Sequence, residues 1–368
     1  MNPVRTAELS GLETIPSPAL LVFPSRVEAN LALMIQMVNG DVSRLRPHVK
    51  THKMAEVVQL QVAKGITQFK CATIAEAEMT AESGGLDVLL AHQPVGPNLA
   101  RFLQLQERFP EVAFSALVDS PEMVAAFEEK GRAARLFVDL DCGMHRTGIS
   151  PGEEAFALCR LIADSSHLEF AGLHAYDGHL HQTDLSERTE AHAAAIESWA
   201  ESLHGLDADG IAPPAIVVGG SPTFGLFAQM ENWQCSPGTT LFWDAGYGHA
   251  FADLEFACAA MLLTRVISKP DGRLCLDLGH KAVAAERTID KRAWFPELPE
   301  AKPFLQSEEH FVLDAPNAGE FSVGDALLAI PWHVCPTVAL HDHAHLVMDG
   351  RVSEDTWEVR ARKRSLSV

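Results

Sequence analysis

The sequence predicts an α/β chain, a (β/α)8 TIM-type barrel followed by a smaller C-terminal all-β domain. Three observations carry that expectation. Short apolar, β-branched runs alternate with helix-forming stretches over the first two-thirds of the chain. About eight such pairs fall within roughly 240 residues, the size of one barrel. Beyond about residue 245 the helical stretches give way to apolar runs separated by turns.

The elements follow in order. Ala19–Phe23 (ALLVF) precedes Arg26–Val38, and Phe69–Ala72 (FKCA) precedes Ile74–Ser83, whose IAEAEMTAES is rich in helix formers. Val88–Ala91 precedes Asn98–Phe109, Phe114–Val118 precedes Pro121–Lys130, and Leu136–Asp141 precedes Glu153–Ser165. Leu168–Ala175 precedes Ser186–Leu203, and Ala215–Val218 runs into a glycine turn. Strands linked by helices imply a parallel sheet. A doubly wound open sheet is the alternative, weakened by the lack of a GxGxxG after the first apolar run. The stretches FACAAMLLTRVISKP, RLCLDLGH, HFVLDAP, DALLAIPWH and HLVMDGRVSEDTWEV read as strands of the second domain. The expected division is therefore a barrel over 18–244 and a β-domain over 245–368.

Composition narrows the function classes. Of the 368 residues, 47% are apolar and 21% charged, which suits a folded chain with a sizeable core. A net charge of -20 argues against nucleic acid as a partner. No run of 18 apolar residues and no basic-then-apolar leader is present, so neither a membrane span nor a signal peptide is expected. Seven scattered cysteines without a CxxC pair point to a reduced, cytoplasmic setting.

Against that acidity, Arg44–Lys53 reads RLRPHVKTHK, with six of ten residues Arg, His or Lys. Lys50, flanked by Arg46, His48 and His52, sits where neighbouring cations would depress an amine's pKa and make it a better nucleophile; a solvated basic loop is the competing reading. GGSPT (219–223) offers backbone N–H groups at Gly219 and Gly220 and the Ser221 hydroxyl as a phosphate cradle, though an ordinary turn looks the same. PGTT (237–240), with Gly238 and Thr239, is a second such turn. In CGMHRTG (142–148), Arg146 lies between two turn glycines, where a fixed guanidinium could meet a phenolate or carboxylate; alone, a surface arginine is the simpler account. HAYDGHLH (174–181) packs His174, Tyr176, Asp177, His179 and His181 into eight residues, suiting acid–base work or metal binding. In PWHVCPTV (331–338), His333 and Cys335 at i and i+2 are expected on one face of a strand, an imidazole–thiolate pair suited to an open zinc site. HDHAH (341–345) adds three more histidines.

Together SPALLV, RPHVKTHK, FKCATIAEAE, CGMHRTG, GGSPT, PGTTLFWD, LDLGHKA and PWHVCPTV, in that order, resemble the D-threonine aldolase and D-serine dehydratase family, pyridoxal-phosphate enzymes of the alanine racemase fold type III. The resemblance implies pyridoxal 5'-phosphate and a divalent metal (Zn or Mn, or Mg) as cofactors. It also implies a small-molecule amino-acid substrate, a homodimer, and residues 1–17 joined to the β-domain. It assigns the Schiff-base lysine to Lys50, with His48 beside the cofactor. The phenolic-oxygen arginine falls on Arg146 and the ring tyrosine on Tyr176. The phosphate turns fall on Gly219, Gly220 and Ser221 and on Gly238 and Thr239, and the metal pair on His333 and Cys335. Two positions depart from the aldolase pattern. Cys335 stands where that branch often has Asp, and Gln182 where it has a basic histidine, leaving His181 or His179 for that role. The implied activity is retro-aldol cleavage of a D-β-hydroxy-α-amino acid. Alternatives are zinc-dependent dehydration of D-serine or 3-hydroxyaspartate, racemisation, or pyridoxal-phosphate binding without catalysis.

Overall fold

The computed structural model describes residues 3–208 and 210–364. It divides into two compact units. One comprises Met34–Lys50, Val58–Gly238 and the start of Lys363–Val368; the other comprises the described part of Met1–Leu33, Thr51–Val57 and Thr239–Arg362.

The apolar run Ala19–Phe23, expected to open the parallel series, does not. Its strand β1 (Ala19–Val22) pairs antiparallel with β9 and parallel with β15 in a nine-stranded sheet of the second unit. All four residues are buried, and an apolar run carries no mark of which sheet will cover it. Helix α1 (Pro24–Met37) follows, then α2 (Ala55–Val62).

The parallel sheet itself has seven strands in sequential order: β2 (Gln68–Cys71), β3 (Asp87–Leu90), β4 (Ala113–Val118), β5 (Ala134–Leu140), β6 (Leu168–Ala175), β7 (Ile216–Val218) and β8 (Gln234–Cys235). Crossover helices α3 (Ile74–Glu82), α4 (Pro97–Arg108), α5 (Pro121–Glu128), α6 (Glu153–Ala163), α7 (Leu185–Ala208) and the short α8 (Phe224–Phe227) connect them. The eighth stave is the basic segment. Arg46 N–H donates to Cys235 O and His48 N–H to Pro237 O, while Val49 N–H donates to Lys70 O and Lys70 N–H to Pro47 O, each at 2.9 Å. Leu45–Val49 thus bridges the two edges, β8 and β2, and closes the sheet. Inward-facing residues alternate along each stave. Leu89, Leu117, Phe137, Ala171 and Val217 form an apolar plug inside.

In the second unit β9 (Ala260–Ser268), β10 (Leu274–Leu276), β11 (Ala293–Trp294), β12 (Lys302–Gln306), β13 (Phe311–Asp314), β14 (Ala326–Pro331), β15 (His343–Met348) and β16 (Arg351–Glu358) complete the nine-stranded sheet, with α9 (Ala245–Ala250) and α10 (Val334–Val338) beside it. The N-terminal residues belong to this unit. Ser10 bridges Arg351, and Thr6 N–H donates to Glu297 Oε1 at 2.8 Å.

Candidate active site

Because the segment Leu45–Val49 lies between two staves, its alternation is that of a strand. Arg46, His48 and Lys50 share one face, and His48 pairs across to Lys70. The three basic residues therefore occupy three levels of the barrel, and they do different things.

Arg46 is 1% exposed at the N-terminal end of the staves. Its guanidinium donates to both carboxylate oxygens of Asp87 (2.7 and 3.1 Å), to Gln68 Oε1 (2.9 Å) and to Gln234 Oε1 (2.8 Å). Burial raises the Asp87 carboxyl, but Arg46 and then Arg135 hold it below the usual carboxylate range. His52 lies in the second unit, 1% exposed, with Nδ1 accepting from Met54 N–H at 3.2 Å. Burial pushes its pKa down to about 3, so it is a neutral core histidine. The expectation that Arg46 and His52 surround Lys50 with unbalanced charge is therefore corrected: one is paired with a carboxylate at the far end, and the other is uncharged.

Lys50 is half-buried at the C-terminal end of its stave. Its backbone N–H reaches His48 Nδ1 at 3.4 Å, so the His48 ring supports the turn that carries the amine. Lys50 Nζ lies 5.8 Å from the Tyr176 ring centroid, and Arg146 Cζ lies 5.1 Å from the same ring. Arg146 is set by a tightly braced turn: Asp141 Oδ1 accepts from Gly143 N–H (3.0 Å) and His145 N–H (2.9 Å), and Thr147 Oγ1 donates to Asp139 Oδ2 (3.0 Å). Gly148 N–H donates to Asp119 Oδ2 at 3.0 Å.

Gly219 and Gly220 follow β7. Gly219 has φ +72°, and a Cβ there would meet Phe227 at 2.6 Å; a Cβ on Gly220 would meet Tyr176 Cε2 at 3.1 Å. Ser221 Oγ accepts from Gly238 N–H at 3.2 Å, which joins the two predicted turns. Thr239 Oγ1 lies 3.6 Å from Cys335 Sγ. Behind the first turn, burial raises Asp177 to about 6, with the Thr223 hydroxyl opposing it, and Asp177 Oδ2 has no partner.

One lysine escaped the sequence reading. Lys70, in FKCA, is 2% exposed. Its Nζ is 5.6 Å from the Tyr176 centroid and 3.3 Å from His174 Nε2, and His174 Nδ1 is 2.7 Å from Asp139 Oδ1. Burial, then the charge of Lys50, lower Lys70 to about 7; Asp139 and Asp177 oppose them. His174 is lowered by burial and by Lys70, leaving its ring neutral, with Nδ1–H toward Asp139 and Nε2 toward Lys70. A cation in an otherwise apolar strand run was the signal.

His179 packs on the Gly143 turn, where a Cβ would come within 2.9 Å of its Nε2. Burial lowers its pKa, and its Nδ1 has no partner. His181 is exposed.

His333 and Cys335 are not on a strand. β14 ends at Pro331, His333 caps α10, and Cys335 lies in its first turn. Asp244 fixes that turn, its Oδ2 accepting from Val334 N–H at 3.0 Å. The pair still meets: the imidazole hydrogen-bonds the thiol, and His333 Nδ1 lies 2.6 Å from Glu286 Oε1. Burial would lower His333, but Cys335, Glu286 and Asp244 outweigh it and raise it to about 9. Cys335 Sγ is 3.1 Å from Thr51 Oγ1. No third His, Cys, Asp or Glu completes a metal cluster among the described residues. A carboxylate-oriented imidazole with a thiol fits an open site with positions left for water or substrate, not a closed structural one. In HDHAH, His343 and His345 stack edge-on at 5.0 Å, and His341 Nε2 bonds Ala282 O at 2.9 Å.

Comparison with known proteins shows the family and the fold. The alanine racemase N-terminal domain family matches residues 23–245, and a serine dehydratase domain family matches 259–347. The chain belongs to the alanine racemase-fold family of pyridoxal-phosphate lyases. Among its relatives, a D-threonine aldolase from an Arthrobacter species is 31% identical, covering 95% of this chain and 94% of its own. A D-threo-3-hydroxyaspartate dehydratase from a Delftia species is 26% identical over 94% of this chain and 98% of its own. The crystal structure of D-threonine aldolase from Filomicrobium marinum superposes with a TM-score of 0.88 at 28% identity, covering 95% of this chain and 97% of that one. For this family member, the cradle at Gly219 and Gly220 and the cations around Tyr176 fit an anionic aromatic cofactor.

Proposed function

We propose that the chain cleaves D-configured β-hydroxy-α-amino acids to glycine and an aldehyde, in the manner of a D-threonine aldolase. The observation that carries this reading is the gathering of Lys50, Arg146, Tyr176 and the turn Gly219–Ser221 at the C-terminal ends of staves in one barrel, the end where barrel enzymes place their chemistry. The amine of Lys50 would hold pyridoxal phosphate, with its phosphate on Gly219, Gly220, Ser221, Gly238 and Thr239. When bound, the cofactor supplies an electron sink for bond breaking at the substrate's α-carbon.

The chain's own groups do the rest. Arg146 presents a planar fork to an oxygen anion. Tyr176 offers an aromatic face, and His48 steadies the Lys50 turn. His179, neutral because burial lowers its pKa, accepts the β-hydroxyl proton at Nδ1. His181 is the exposed alternative. A divalent ion would be held by His333 and Cys335 and would supply a Lewis acid for the β-hydroxyl; a thiolate suits zinc better than manganese or magnesium. A homodimer follows from the family resemblance, and seven unbridged cysteines suit a reducing cytoplasm.

A second reading is favoured by Cys335 and by Gln182 at the position of the aldolases' basic histidine. It is dehydration, with Lys50 Nζ taking the α-proton and with ammonia and a keto acid as products. The experiment is a screen of D- and L-threonine, serine and 3-hydroxyaspartate, assayed separately for glycine plus aldehyde and for ammonia plus keto acid, with and without EDTA. Aldehyde and glycine from the D-isomers, lost on metal removal and restored by zinc or manganese, are expected. Ammonia release alone establishes the dehydratase. Activity indifferent to EDTA and to Cys335→Ala removes the metal from the reaction.

A further inference from the structure

We propose that Lys70 is a positioning residue for the chemistry at Lys50: a second amine, fixed inside the barrel, whose positive charge disfavours protonation of the nitrogen at position 50. The inference rests on the reading that Lys50 carries the carbonyl cofactor, and its test separates the two.

The placement is built into the sheet. Lys70 pairs with His48 across the stave junction, two residues from Lys50 and on the same face. Two backbone hydrogen bonds lock that register, Val49 N–H to Lys70 O and Lys70 N–H to Pro47 O. The Lys70 side chain then crosses the barrel to His174 on β6, a strand four places away in the sheet. His174 is register-paired with Asp139 on β5 and bonded to it at 2.7 Å, so the ring is pinned from behind. With Nδ1–H spent on Asp139, a lone pair at Nε2 faces Lys70 and accepts an N–H of its amine. Both amines lie within 6 Å of one tyrosine face, Lys70 at 5.6 Å and Lys50 at 5.8 Å. The charged groups acting on Lys70 are Lys50, Arg46, Asp139 and Asp177, with neutral His174 between Lys70 and Asp139.

A buried lysine has no use in packing the plug of Leu89, Leu117, Phe137, Ala171 and Val217, where a leucine would serve better. Arg46, the other buried cation of this segment, is matched by Asp87 at hydrogen-bond distance. Lys70 instead has an imidazole as its hydrogen-bond partner, and Asp139 and Asp177 act on it through space, as does the neighbouring amine of Lys50.

The test uses the cofactor-loaded protein. The visible absorbance of the pyridoxal-phosphate adduct is titrated with pH in the native chain, Lys70→Met and Lys70→Arg. Removing the Lys70 charge on an adjoining stave should move the midpoint up by as much as about one pH unit in Lys70→Met, whereas Lys70→Arg, charged at every pH, should titrate at or below the native value. A midpoint unchanged in Lys70→Met, with cofactor bound and attached to Lys50, overturns the inference. If Lys70→Met does not fold, Lys70→Gln, matched to the native circular dichroism, carries the same comparison. If the native protein shows no adduct at Lys50, the reading beneath it has failed instead.

Discussion

Arg46 offers the sharpest test of how the basic segment is divided between structure and chemistry. Replacing it with alanine removes five hydrogen bonds, two to the Asp87 carboxylate, a longer one to Asp87 O, and one each to Gln68 and Gln234. It leaves a carboxylate whose remaining cation is Arg135 at 3.6 Å, and it empties a site that is 1% exposed. Breaking one side of a buried pair costs about 3–5 kcal/mol. Asp87 is 23% exposed and retains Arg135, so the lower part of that range, about 3 kcal/mol, is expected here. The sign of the pH dependence is also fixed. Asp87 titrates below its usual range in the folded chain, so the stabilisation is present above the unfolded value of 3.8 and is lost as pH falls through the lower folded value. Urea denaturation followed by tryptophan fluorescence at pH 7 and again near pH 3 should show a large deficit in Arg46→Ala that shrinks in acid. A variant as stable as the native chain at pH 7 would refute the division and return Arg46 to the cationic surroundings of Lys50.

Three further outcomes are expected. His52 is uncharged in the folded chain down to about 3 against 6.5 unfolded. Stability from this residue is therefore complete above pH 6.5 and falls by about 1.4 kcal/mol per pH unit below it; His52→Asn should flatten the pH dependence of the urea midpoint in that window. Gly219→Ala places a Cβ 2.6 Å from Phe227 at φ +72° and should weaken pyridoxal-phosphate binding, measured by fluorescence titration, with the circular dichroism retained. His179→Asn should lower kcat by about 100-fold or more, while His181→Asn, at an exposed position, should change it little.

Much of this was legible because chemistry-bearing residues follow apolar runs. The glycine turn after Val218, Arg146 in its braced turn and Tyr176 just past β6 all lie where the pattern of runs places them. Lys70 was not, since a lone lysine in FKCA gives no hint that its side chain crosses to β6. Ala19–Phe23 reads as a strand of the parallel sheet because burial on both faces looks the same whichever sheet supplies it. His333 and Cys335 were brought together for the wrong local reason: alternation after DALLAIP suggests a continuing strand, but the backbone turns into a short helix held by Asp244. RLRPHVKTHK carries less unbalanced charge than its composition suggests, because sequence alone shows neither the Asp87 partner of Arg46 nor the burial of His52.

The attachment point of the cofactor is the place to strike first. Protein saturated with pyridoxal phosphate, reduced with borohydride, digested and mapped by mass spectrometry should carry one pyridoxyl group, on the peptide containing Lys50. A label found on Lys70 or another lysine, or none at all, would contradict the account.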